Sequence, residues 1–130
     1  MKRHLWLVQL SRDHHVALRL ARRARLAAHS GDAGEIADCA RQIVLDFPVW
    51  IEPHFRDEEN GVLAALTASG ERLLVARTLD EHARLRAFEV SLMRPSAPLL
   101  ADFAGLMDAH VRFEERELLE TAQRLLFPDG

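Results

Sequence analysis

A chain of 130 residues, 48% hydrophobic and 28% charged, has room for one globular core and none for a second. Its net charge of -3 offers no basic face for nucleic acid, and no apolar run reaches the ~18 residues that a membrane span needs. The single Cys39 excludes an internal disulfide and any multi-thiolate metal site, and it suits a reducing compartment.

The opening residues begin like a signal peptide, but the apolar stretch is short, is interrupted by Gln9 and runs into Arg12 and Asp13. A cytoplasmic protein is therefore expected. The first helix carries Leu10, His14, Ala17, Leu18, Ala21 and Ala28 on one stripe, with Arg19, Arg22, Arg23 and Arg25 on a solvated face. The run Ser30–Gly34 is the first turn, and Asp32 followed by Glu35 reads as a capping box. A second helix continues through Ile36, Ala40, Ile43, Phe47, Trp50, His54, Glu58 and Val62 at steps of three or four. Cys39 lies on it beside Ala37 and Ala40 and reads as a buried structural thiol. Pro48 and Pro53 are expected to bend this helix, and a break at Asn60-Gly61 is an alternative.

Thr67–Gly70 forms the second turn, followed by a third helix with Val75, Leu79, His82, Leu85 and Leu92. After the turn Arg94–Pro98, Pro98 suits the first turn of a fourth helix, with Ser96 or Ala97 before it. That helix presents Leu99, Phe103, Leu106, His110, Glu114 and Glu117. Four amphipathic helices with short connections predict an all-α, antiparallel up-down-up-down four-helix bundle, with residues 1–130 as a single domain.

Histidine and glutamate on core-facing stripes need a reason, because buried charge is costly unless paired or metal-bound. The second and fourth helices repeat one pattern: His54-Phe-Arg-Asp-Glu58-Glu59 aligns with His110-Val-Arg-Phe-Glu114-Glu115. A His and a Glu four apart stand one above the other on a helix, about 6 Å along its axis. Residues equidistant from the turn of an antiparallel hairpin share a level. The midpoint of His14 and His54 is Gly34, that of His54 and His82 is Ala68, and that of His82 and His110 is Ser96. All three fall in predicted turns. One histidine per helix, at one height and facing inward, makes a coordination sphere.

On these motifs the chain resembles the hemerythrin-like, or HHE cation-binding, domains over nearly its whole length. The resemblance implies a carboxylate-bridged di-iron centre with the ligands His14, His54, Glu58, His82, His110 and Glu114. On a helical wheel His14 falls with Leu10 and Ala17, whereas His15 turns toward Arg19 and Arg22. Oxygen-carrying hemerythrins place the last acid five residues after the histidine, at Glu115, whereas the internal repeat and the broader family place it at Glu114. In those carriers the third helix holds two histidines four apart. Here the partner positions of His82 are Thr78 and Arg86, so a fifth histidine is missing, and water, Glu59 or Glu89 is expected to fill in. That departure weighs against reversible O2 storage.

Imidazoles and carboxylates without thiolate suit two iron ions, with manganese or a mixed pair as substitutes. The chain has no tyrosine, which argues against a tyrosyl-radical enzyme. Phe47, Trp50, Phe103, Leu106 and Met107 are expected to line the bundle near the ions. The expected function is binding or sensing of O2, NO or peroxide, with binding favoured over catalysis. The alternatives are an enzyme-like redox or iron-handling role and a divalent-metal storage module.

Overall fold

The computed structural model describes residues 3–129; Met1, Lys2 and Gly130, the ends of the stretch read as one domain, lie outside them. The described chain is helical throughout, with no strand. Helix α1 (Leu5–Ser30) closes at Gly31, whose φ of 66° gives the left-handed turn that glycine adopts without penalty. Helix α2 (Ala33–Asp46) starts at Asp32, whose carboxylate accepts from Glu35 N–H at 2.9 Å, while Asp32 N–H donates to the Ser30 hydroxyl. After a π-helical turn (Phe47–Ile51) the same rod continues as α3 (Glu52–Asn60), passes Gly61 and ends as α4 (Val62–Ala68). The third rod is α5 (Arg72–Ser91). The fourth comprises α6 (Ala97–Phe113), capped by the Ser96 hydroxyl, a second π-helical turn (Glu114–Leu118), and α7 (Leu119–Leu126).

The π-helical turns correct the expected stripes. In the first, Glu52 N–H reaches back five residues to Phe47 C=O, and in the second Leu119 N–H reaches back to Glu114 C=O. Each widened turn takes one residue more than an α-turn, which rotates the residues beyond it by about 100°. The buried line therefore runs from Phe47 to Ile51 and on to His54, Phe55 and Glu58, and Trp50 is left outside, 56% exposed. After Glu114 the inward residues are Leu118 and Leu119, and Glu117 faces solvent. Leu18 and Leu79 are also on the surface, and Leu106 and Cys39 are half-buried rather than buried. The break at Gly61 is present in addition to the π-turn expected only as a proline bend.

Helix α1 packs most extensively on α6 and also on α2, and α5 packs on α6. The core falls into two apolar clusters. The larger runs from Ala17 through Ile43, Phe47, Phe55 and Leu85 to Phe103, Met107 and Val111. The smaller gathers Leu7, Leu10, Val62, Leu63, Leu66, Val75, Leu118, Leu119 and Ala122. Where the two clusters meet, every rod carries buried polar residues: His14, His54, Glu58, Thr78, Glu81, His82, His110 and Glu114. Among the described residues no helix is long and apolar enough to cross a membrane.

Trp6 packs closely against Gly61 at the break between α3 and α4. A Cβ built on Gly61 would lie 2.5 Å from Trp6 Cζ2 and 2.9 Å from the Asp57 carbonyl oxygen. The indole can shift, but the carbonyl already accepts from Gly61 N–H and cannot. Gly61→Ala is expected to destabilise the fold by about 1–3 kcal/mol in urea unfolding, as overpacked sites do. Adding Trp6→Ala should restore none of the part due to Asp57; an unchanged urea midpoint in the single variant would show that the close approach is not rigid.

Candidate metal centre

Each rod brings one histidine to the polar layer, and two rods add a glutamate four residues further on, one turn along the same face. All six residues named from the sequence come together. Their ligand atoms form two groups, His14, His54, Glu58 and Glu114, and Glu58, His82, His110 and Glu114, each with its atoms within 4.8 Å of one another. Both glutamates belong to both groups. His14 Nε2 lies 2.7 Å from Glu114 Oε1 and His82 Nε2 3.0 Å from Glu58 Oε1. His54 Nε2 is 3.4 Å from Glu58 Oε2, and His110 Nε2 is 3.2 Å from Glu114 Oε2. The ring pairs His14–His54 and His82–His110 have centroids 5.1 and 5.0 Å apart.

Four atoms at this centre are buried without a hydrogen-bond partner: His54 Nε2, Glu58 Oε2, His110 Nε2 and Glu114 Oε2. Orphaned polar atoms are expensive, and here all four belong to residues of the two ligand groups, with both glutamates fully buried. Imidazole nitrogen and carboxylate oxygen are the donors that divalent transition metals take. The residues present fit a metal.

The outer nitrogens were not read from the sequence, and they form a ring. Asp13 on α1 accepts from His54 Nδ1 on α3 at 3.0 Å, and Glu59 on α3 accepts from His82 Nδ1 on α5 at 2.7 Å. Glu81 on α5 accepts from His110 Nδ1 on α6 at 2.7 Å, and Glu115 in the second π-turn accepts from His14 Nδ1 on α1 at 2.6 Å. Each acid is the chain neighbour of an inner residue and holds the histidine of another rod. A carboxylate on Nδ1 fixes the tautomer, turns Nε2 inward and raises its basicity. Arginines clamp three of these acids: Arg86 holds Glu59, Arg77 holds Glu81, and Arg3 holds Glu115 together with Ser11.

The positions left open by the sequence are thereby occupied. His15 is exposed. Glu115 and Glu59 meet outer histidine nitrogens rather than the centre, and half-buried Glu89 belongs to neither ligand group. Thr78 is buried, with its hydroxyl donating to the Leu74 carbonyl at 2.7 Å, and Arg86 lies over the Phe55 ring and pairs with Glu52 and Glu59. Of the residues expected near the ions, Phe47, Phe103 and Met107 are buried in the larger core cluster. Trp50 is not among the lining residues. Phe55, missed in the sequence, stacks on the His82 ring at 3.9 Å and meets His110 edge-on.

Against this geometry, the hemerythrin HHE cation-binding domain profile matches residues 7–122. The chain belongs to that family. No curated protein and no solved structure matches it significantly. Binding of a metal cation is the property that this membership and the two His/Glu groups share.

With both nitrogens facing carboxylates, the rings of the metal-free protein hold protons strongly. Burial opposes charge on His14, but Glu114 and Glu115 outweigh it and raise the ring to about 9. Burial is likewise overcome at His54, raised to about 11 by Glu114 and Glu58, and at His110, raised to about 10 by Glu114 and Glu81. Glu114 is held well below the usual carboxylate range: burial pushes it up, and His110, His14 and His54 more than reverse this. Glu115 falls to about 2 against its own burial through His14, Arg3 and Ser11.

The raised histidines stabilise the metal-free fold fully below their ordinary 6.5, and that contribution is lost as pH rises through about 9 to 11. The depressed carboxylates stabilise it above their ordinary 4.5, and theirs is lost as pH falls, toward about 2 for Glu115. Metal-free protein is therefore expected to be most stable between about pH 4.5 and 6.5, with urea midpoints declining on both sides. Midpoints that climbed steadily from pH 6 to pH 9 would contradict this ion-pair layer.

Proposed function

We propose that the chain holds a carboxylate-bridged pair of iron ions and uses it to bind or sense O2, NO or peroxide. The observation that carries this reading is that Glu58 and Glu114 belong to both ligand groups, so two ions could share them while each takes two histidines. The donor set suits iron, with manganese or a mixed pair as substitutes. The reading takes the rods as an antiparallel up-down-up-down bundle. Its support is that Arg3 near the start of α1 reaches Glu115 and Glu120, whereas Arg25 further along reaches Asp108.

Bound iron would supply one-electron redox chemistry and coordination positions for a small ligand. The chain's own residues would do the rest. His14 and His54 would present Nε2 to one ion and His82 and His110 to the other, with Glu58 and Glu114 bridging. The outer carboxylates would hold those rings in place. Phe55, stacked on His82, and the apolar clusters on either side would keep bulk water out. Thr78 stands where a fifth histidine would be, with its hydroxyl turned to the Leu74 carbonyl. That favours sensing over reversible storage, and it gives redox turnover of peroxide or NO, or iron donation, a second claim.

Protein grown with ample iron should carry about two irons per chain, and His54→Ala and His110→Ala should each lose about one or more. Less than about one iron in the parent, or no loss in the variants, would sink the di-iron reading. Titration of metal-free protein with Fe(II) near pH 7, repeated in buffers of different ionisation enthalpy, should show proton release, because the metal displaces the rings' inner protons to the buffer. Mixing the reduced protein with O2 separates the uses: a band that reverses under vacuum means carriage, and irreversible oxidation means sensing or turnover. A redox-silent metal with no response to iron would leave only storage.

A further inference from the structure

The ring of outer carboxylates has one weak link. Arg86 reaches both oxygens of Glu59 at 2.8 and 3.1 Å, and it also grips Glu52. Arg77 holds Glu81 at 3.1 Å and lies over the Phe113 ring, 3.8 Å from its centroid. Arg3 and Ser11 hold Glu115 at 2.7 and 2.8 Å. Asp13 has His54 and, among the described residues, no other hydrogen bond or ion pair.

Access divides the same way. The side chain of Asp13 is 49% exposed and that of Glu115 32%, against 22% for Glu59 and 10% for Glu81. His54 retains 6% of its surface and His14 4%, whereas His82 and His110 have 0% and 1%. His82 is also pinned face-on by Phe55, and Arg86 lies over that ring, 5.3 Å from its centroid. His54 meets Phe55 only at a tilt, with centroids 6.3 Å apart. The loosely braced and the least buried histidine are one residue.

We propose that the two metal positions turn over unequally. The ion held by His14 and His54 is the exchangeable one, admitted and released beside Asp13, and the ion held by His82 and His110 is retained. Asp13 is the positioning residue that sets the rate: swinging out to solvent, it frees the His54 ring, and no arginine opposes that motion. On the other side a ring can turn only after Arg86 or Arg77 has let go of its acid. This inference rests on the two-metal reading. It adds that the centre passes through a state with one ion and both bridging glutamates still in place.

The test uses the full chain loaded with Co(II), whose visible spectrum reports coordination, and challenged with excess EDTA. The parent should release one equivalent quickly and the second slowly. Asp13→Ala should speed the fast phase and leave the slow phase unchanged, by about 10- to 100-fold if the affinity usually lost with a carboxylate behind a metal-bound histidine is lost through release. Glu81→Ala should speed the slow phase instead, and His54→Ala should remove the fast phase and keep the slow one. Release of both ions in a single phase by the parent, or equal acceleration of both phases by Asp13→Ala, would overturn the proposal. The parent result stands even if a variant fails to fold. Uptake of fewer than two Co(II) ions would instead bring down the two-metal reading and this inference with it.

Discussion

Two carboxylates with no access to water, Glu58 and Glu114, set the terms for everything around them. They sit in a polar layer that divides the apolar core into two clusters, where negative charge must be met by positive charge at short range. In the metal-free protein the four histidines meet it by holding protons well above their ordinary range at His14, His54 and His110, and above it at His82. A bound cation would do the same work and release those protons. Both states rest on one electrostatic demand, and metal binding is accordingly coupled to pH and to folding.

The demand propagates outward. A doubly bonded imidazolium needs an acceptor on its outer nitrogen as well, and the four acids that provide one pass from α1 to α3, from α3 to α5, from α5 to α6 and back to α1. Three of those acids are in turn neutralised by Arg86, Arg77 and Arg3 at the rim. The inner charges thus tie all four rods together through side chains at one height, in a chain with limited apolar area to hold them. Asp13, with no arginine behind it, is where this network meets solvent.

Much of the inner layer was legible in the residues. The spacing H-x-x-x-E on two helices, and histidines whose midpoints fall in turns, locate the six central side chains because helical periodicity and hairpin geometry leave little freedom. The stripes failed at Trp50 and Glu117 for one cause. A π-helical turn adds a residue without any residue type that announces it, and Pro48 and Pro53 signalled only that something happens nearby. Leu79 on α5 and Leu18 on α1 lie at the edges of their stripes, where periodicity alone does not separate rim from core. The outer acids had a visible trace, each being the chain neighbour of an inner residue. Nothing in that adjacency says which rod's histidine the acid will reach.

By itself the sequence determined the helical class, the turns, the family resemblance and the identity of the inner donors, since these follow from periodicity and short-range spacing along one chain. Tertiary structure alone decided the sharing of Glu58 and Glu114 between two groups, the closed ring of carboxylates and the unequal shelter of its links. Those are distances between helices and exposures to solvent, which depend on how the rods rotate and pack rather than on the order of residues within any one of them.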